Sequence, residues 1–168
     1  GIASKVLMKC LYGARVCRFD LLRPICALAQ LVTKWDRMCD AKLHRLMCYI
    51  NSSKKVKMYG KVGDNLDAVR LALFSDADFA GCTRTRKSTT GLVIFYRRHM
   101  IKSSSKTQGI LSLSSGESEF YAAGTAAAYL LFMVYLVREM KMKAQGYPYS
   151  DSSAARGIMG RVGPGRLR

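Results

Sequence analysis

The sequence predicts an α/β fold: a mixed sheet built from a three-stranded antiparallel meander plus one parallel strand, covered by helices and preceded by a helical hairpin. Three observations carry this. Residues 69–82, V-R-L-A-L-F-S-D-A-D-F-A-G-C, alternate apolar positions with a period of two and then end in acids and a glycine. Residues 114–143 hold the longest helical pattern, opening on S-S-G-E, a capping box. Beyond it, residues 146–151 read as a loop into a short strand ending in another acid. The helix then forms a right-handed crossover to a strand parallel to the first.

Composition narrows the partner. The 168 residues fit one domain, or one domain plus part of another. At 49% hydrophobic and 23% charged, the chain can bury a core and is not wholly disordered. Twenty-eight Lys and Arg against 11 Asp and Glu give +17. That excess points to a polyanion, nucleic acid ahead of an acidic membrane surface, with part of the charge simply solvated. The six cysteines form no C-x-x-C pair and no His stands at zinc spacing. A reduced intracellular protein with buried free thiols is expected, without zinc. A start at Gly1 and an end at Arg168 in mid-pattern read as a piece of something longer, with no secretory signal.

Taken in order, residues 21–35 carry Leu21, Leu22, Ile25, Leu28, Ala29, Val32 and Trp35 at helical spacing, with Asp20 as N-cap and Pro24 in the first turn. Residues 40–50 repeat the pattern through Leu43, Leu46, Met47 and Ile50, and the two pack as a hairpin with Cys26 and Cys48 as core thiols. Residues 54–62 read as an edge strand and Gly63-Asp64-Asn65 as a turn. The strand at 69–76 follows, then a basic loop to Thr90, a strand at 91–96, a turn at Arg97-Arg98-His99 and a strand at 100–104. His99 belongs to that turn rather than to a metal site.

Within the long helix, the capping box gives Glu117 a structural task and leaves Glu119 without one. Two residues on a helix differ by roughly 200°, so the two acids serve different places. Residues 120–137 carry no charge, which meets the ~18-residue lower bound for a membrane span. The alanines, the capping box and the preceding meander favour a buried core helix; a membrane-anchored basic protein is the weaker alternative. A short helix follows at 152–159, for which Asp151 can serve as N-cap. A flexible basic tail occupies 160–168.

The acids Asp76, Glu119 and Asp151 thus stand at three element ends. Asp76 and Asp78 share a strand face if the strand persists, and an Asp-rich hairpin turn is the alternative. If the strand before Asp151 lies beside the strand before Asp76, both acids reach the carboxyl edge of neighbouring parallel strands, where ligands bind in open α/β sheets. Three convergent carboxylates require a cation, and two Mg²⁺ ions roughly 4 Å apart would drive hydrolysis of a phosphodiester.

Five blocks carry a resemblance in order and spacing: S-D-A-D-F-A-G-C (75–82), R-K-S-T-T-G (86–91), S-S-K-T-Q (104–108), L-S-S-G-E-S-E-F-Y-A (113–122) and S-D-S-S-A-A (150–155). Residues 69–168 resemble the ribonuclease H domain of copia-type LTR retrotransposon Pol polyproteins. More weakly, residues 23–50 resemble the segment joining the reverse transcriptase to that domain. The resemblance implies a ribonuclease H-like domain over 54–168, incomplete at its carboxyl end, after a connection segment over 1–53. It implies hydrolysis of the RNA strand of RNA–DNA hybrids, with Asp76, Glu119 and Asp151 as three of four metal-binding acids for Mg²⁺, or Mn²⁺ in its place. Phe79 stands where the family has tryptophan and Ser152 where it has asparagine. The fourth acid would follow a basic motif that Arg166-Leu167-Arg168 begins.

Nucleic-acid contacts are assigned by residue type and position to Arg84, Arg86, Lys87, Lys102 and Lys106 for phosphates. Ser88, Thr89 and Ser104 are assigned to backbone or 2′-hydroxyl oxygens. The implied partners are an RNA–DNA hybrid and a covalently linked reverse transcriptase, in a cytoplasmic particle or the nucleus, with no membrane. The alternative is a truncated remnant that binds nucleic acid and cleaves nothing.

Overall fold

Helical periodicity at the amino-terminal end is realised as three helices rather than two. The computed structural model describes residues 2–61 and 68–161, and the chain divides into two units, Gly1–Tyr59 and Gly60–Arg168. The first unit contains α1 (Ile2–Val16), α2 (Leu22–Ala29) and α3 (Arg37–Ser52), with 3-10 turns at Phe19–Leu21 and Val32–Lys34. Helix α1 escaped the sequence reading because Lys, Gly and Tyr interrupt its apolar face, yet Leu7 and Ala14 are fully buried. Leu21, Leu22, Ile25, Leu28, Cys39 and Leu46 complete this core.

The boundaries differ from expectation for local reasons. Asp20 is not an N-cap: it lies in the first 3-10 turn, where Arg18 donates to it at 2.8 and 3.0 Å and the Tyr49 hydroxyl at 3.1 Å. The Arg18 hydrogen bond holds the Asp20 carboxyl below its usual range. Helix α2 stops at Ala29, short of Trp35, whose indole N–H donates to Asp40 at 2.8 Å. Helix α3 begins earlier because the Asp36 side chain caps it, accepting the Cys39 N–H at 2.8 Å. All six cysteines are free. Cys26 is half-buried and burial pushes its thiol up, whereas Cys48 is exposed at the end of the helix and is no core thiol.

In the second unit, β1 (Val69–Asp78), β2 (Thr89–Tyr96), β3 (His99–Thr107) and β4 (Ala144–Tyr149) form one sheet in the order β3-β2-β1-β4. Neighbours in the meander pair antiparallel, and β4 pairs parallel to β1. The architecture is α/β with a mixed sheet and is compatible with the ribonuclease H-like expectation without being specific to it. Strands β1, β2 and β3 extend beyond their apolar runs because backbone pairing continues through polar residues that hydropathy does not reveal. A two-residue turn joins β2 to β3, with Arg97 at φ 55°; His99 is already the first residue of β3, not part of the turn. The expected edge strand at 54–62 does not form: residues 56–61 have no ladder partner, and the run of lysines there disfavours pairing. Val62, the turn signal at 63–65 and the tail from 162 on, including Arg166-Leu167-Arg168, lie outside the described residues.

Helix α4 (Ser115–Glu139) covers one face of the sheet, and α5 (Ser153–Met159) follows β4. Ser114 Oγ accepts the Glu117 N–H at 3.1 Å, while Glu117 Oε2 reaches back to the Leu113 N–H at 2.7 Å, one residue earlier than a capping box requires. The buried stripe Ala122, Ala126, Leu130 and Val134 has the i, i+4 spacing of one helix face. Its alanines let the helix approach Leu71, Leu73, Leu92 and Ile94 closely; burial of each such aliphatic side chain stabilises by ~1.5–3 kcal/mol. Gly146 on β4 belongs to this fit, since a Cβ there would lie 2.8 Å from Leu130 Cγ.

The expectation of a buried core helix holds for one stripe only. Leu131, Phe132, Tyr135, Leu136 and Met140 are exposed on the remaining surface of α4. Among the described residues it is the one helix long and apolar enough to cross a membrane.

Candidate metal centre

Strand β1 carries Asp76 within its paired length, opposite Gly91 of β2. Asp76 therefore does not belong to an Asp-rich turn. On the other side, Phe74 pairs with Tyr149 of β4. Asp76 stands two residues further on within β1, and Asp151 stands two residues past the end of β4. Asp151 is exposed and is not the cap of α5. That task falls to Ser152, whose Oγ accepts the Ala155 N–H at 3.1 Å.

Glu119 enters from the second turn of α4. It is buried, and its Oε1 accepts the Ala77 N–H at 3.1 Å. Its Oε2 is buried with no hydrogen-bond partner. Asp76, Glu119 and Asp151 each present a carboxylate oxygen, and the three atoms lie within 4.8 Å of one another. Burial pushes the Glu119 carboxyl up, the Ala77 N–H opposes this, and the nearby Asp76 and Asp151 charges push it further up. Three carboxylate oxygens this close together, one of them from a buried side chain, fit a hard divalent cation. An all-oxygen set suits Mg²⁺ or Mn²⁺ and lacks the nitrogen and sulfur ligands typical of zinc.

Asp78 shares the strand face but is absent from the cluster. Its carboxylate folds over the following turn, where a Cβ on Gly81 would collide with it, and the Gly81 N–H donates to the Asp78 carbonyl at 3.4 Å.

The sequence-assigned contact residues divide sharply. Arg84 and Arg86 are exposed in the loop after β1. Lys106 is exposed on β3, and Lys102 lies 5.8 Å from the Tyr129 ring centroid. Lys87 Nζ donates to the Gly109 carbonyl at 2.6 Å, holding two loops together. Ser88 is fully buried with its Oγ accepting the Ala80 N–H at 3.1 Å, and Thr89 is buried opposite Asp78. Ser104 is half-buried and borders a cavity of about 600 Å³ with Asp76, Asp151, Ser103, Phe74 and Tyr149.

Two features escaped sequence reasoning. Phe74 and Tyr149 stack at 5.0 Å and 15°, each two residues before an acid of the cluster; the shared offset is the signal that could have found them. Gln108 is buried and uses its whole amide. Its Nε2 donates to Thr90 Oγ1 at 3.1 Å and to the Ser118 carbonyl at 2.9 Å, and its Oε1 accepts the Ser112 hydroxyl at 3.1 Å. This network ties the end of β3 to the first turn of α4, and so fixes the residue beside Glu119.

No protein-family model matches the chain. It is 47% identical over 88 residues to an uncharacterized mitochondrial protein of Arabidopsis thaliana, covering 52% of this chain and 35% of that protein. It is 30% identical over 115 residues to the retrovirus-related Pol polyprotein from transposon RE2 of Arabidopsis thaliana, covering 67% of this chain and 8% of the polyprotein. It is also 28% identical over 136 residues to secreted RxLR effector protein 161 of Plasmopara viticola, covering 78% of this chain and 90% of the effector. The chain thus spans about a third of the first relative and under a tenth of the second. Similarity to retrotransposon Pol polyproteins supports a Pol-derived region.

Proposed function

We propose that the second unit is a metal-dependent nuclease of the ribonuclease H type, of copia-like origin, hydrolysing the RNA strand of RNA–DNA hybrids. The observation that carries this reading is the convergence of Asp76, Glu119 and Asp151, from two strand ends and a helix, within 4.8 Å. Similarity to Pol polyproteins supports a hydrolytic parent in which a reverse transcriptase is covalently linked and the first unit is part of the connection. Such a parent would work inside the cell, in a cytoplasmic particle or the nucleus.

In this reading the three acids hold Mg²⁺, with Mn²⁺ able to substitute. Bound as a pair, such ions activate water and stabilise the leaving oxygen of a phosphodiester. The chain's own contribution is position. Asp76 is carried within β1, Asp151 just past the end of its parallel neighbour β4, and the Ala77 N–H fixes one oxygen of Glu119. Arg84, Arg86 and Lys106 supply exposed positive charge for the hybrid backbone, and Ser104 remains available for a 2′-hydroxyl.

The test is cleavage of a labelled RNA–DNA hybrid with Mg²⁺ and with EDTA, by the wild-type chain and by Asp76→Asn. Mg²⁺-dependent products that vanish in the variant sustain the reading. Salt-sensitive binding with no products overturns it in favour of a nucleic-acid-binding remnant.

A further inference from the structure

Four cations converge at the end of the sheet farthest from the acids. Arg70 on β1, Arg138 near the end of α4, and Lys141 and Lys143 in the connection to β4 line one cavity of about 730 Å³. Gln145 borders it, and among the described residues no acidic one does. All four side chains are exposed, and among the described residues none is ion-paired. From Arg70 to Asp76 is six residues of strand, about 20 Å.

Helix capping explains part of this cluster. Arg138 donates twice to the Ala144 carbonyl, at 3.1 and 3.3 Å, and cations near a helix C-terminus offset its partial negative charge. That account does not reach Arg70, which sits on the sheet, or Lys143, which leads into β4. Lys141 takes the left-handed conformation, φ 63°, that commonly ends a helix, its N–H donating to the Arg138 carbonyl at 2.9 Å and the Met142 N–H to the Val137 carbonyl at 3.3 Å. Its charge nonetheless adds to those of Arg70, Arg138 and Lys143 around one cavity. A ligand with several negative charges would offset that repulsion.

We propose that this cavity binds clustered phosphates, supplied by the backbone of a nucleic acid. The Arg70 guanidinium offers paired donors matched to phosphate oxygens, Arg138 adds its charge while it holds Ala144, and the two lysines add point charges. The phosphate site stands on its own geometry, whereas its nucleic-acid source rests on the function proposed above. It is a grip remote from the acids: it raises affinity and takes no part in bond cleavage.

Binding of labelled single-stranded and hybrid oligonucleotides, measured in EDTA over a salt series, tests it. The variant Arg70→Gln/Lys141→Gln/Lys143→Gln spares Arg138, which holds Ala144. Each lost phosphate contact lowers the slope of log K against log salt by ~0.7–0.9, so the slope should fall by roughly 2–3 in this variant. A control, Lys5→Gln/Lys9→Gln/Lys34→Gln, removes the same net charge elsewhere and should change the slope much less. The charge-keeping variant Arg70→Lys/Lys141→Arg/Lys143→Arg should retain binding. Equal loss in both neutralised variants, or no loss in either, overturns the nucleic-acid assignment. Tripolyphosphate competition separates the sources: one-to-one binding abolished only by the first variant, with oligonucleotide affinity unchanged, would assign the cavity to a free phosphate compound instead. Asp76→Asn should remove cleavage and leave the salt slope intact, so failure of the catalytic reading remains distinguishable from failure of this one.

Discussion

Asp76 and Asp151 each stand two residues beyond Phe74–Tyr149, the last pair of the parallel ladder, Asp76 still within β1 and Asp151 just past the end of β4. The match follows from the crossover through α4, which returns the chain beside β1 with the same direction. Charge removal at either acid should therefore have the same effect on a divalent ion. Asp76→Asn and Asp151→Asn should each weaken Mn²⁺ binding at least tenfold, about 1.4 kcal/mol, by calorimetric titration. Equal affinity in wild type and both variants would remove these two acids from any metal site.

In the proposed metal site, Glu119 would couple ion binding to stability. Its carboxyl titrates above the ordinary range because of burial first and neighbouring acids after. The folded state then holds more protons than the unfolded one, so its stability is fullest at low pH and falls as pH rises through the raised value. In EDTA, Glu119→Gln should flatten the decline in Tm from acidic to neutral pH and melt at or above wild type at pH 7, since an amide still accepts the Ala77 N–H. Divalent ion at about 100 times its dissociation constant should stabilise wild type by ~2.7 kcal/mol and the variant much less. A variant that melts well below wild type at neutral pH in EDTA would show that the carboxylate stabilises the fold directly.

Ser152 and Asp151 are neighbours with different tasks. Ser152→Ala removes the cap of α5 and should cost ~1 kcal/mol in chemical denaturation. Asp151→Asn removes an exposed charge that caps nothing and should leave stability within ~0.5 kcal/mol. The reverse ranking would return Asp151 to a structural role.

The meander, the crossover helix and the parallel strand were legible because each carries its own period, and the three acids fall where those periods end. Legibility failed where structure depends on partners. Lys55, Lys57 and Tyr59 alternate with Val56, Met58 and Gly60 as an edge strand should, but a strand needs a ladder and none forms through residue 61. Asp20 looked like a helix cap from its neighbours, whereas Arg18 and Tyr49, one nearby and one 29 residues away, hold it in a turn. Ser88 and Thr89 looked like surface hydroxyls in a polar loop. Their burial depends on the closing of that loop against Ala80 and β1, which no local pattern encodes.

Gln108 shows how such a nonlocal contact supports the acids. Its amide spans Thr90, Ser112 and the Ser118 carbonyl, so it locks the start of α4 to the end of the meander. Gln108→Leu has similar size but removes the buried hydrogen bonds to the Thr90 and Ser112 hydroxyls and the bond to the Ser118 carbonyl. A loss of ~1–3 kcal/mol should follow. Because Glu119 is the next residue after Ser118, the same variant should also weaken Mn²⁺ binding while Asp76 and Asp151 remain intact. Gln108→Glu restores an acceptor for Ser112 but brings a charge and no donor for the Ser118 carbonyl, so it should rescue little. Calorimetry below the melting transition separates the two effects: unchanged metal affinity in a destabilised but folded Gln108→Leu would confine Gln108 to the core and deny it any part in positioning Glu119.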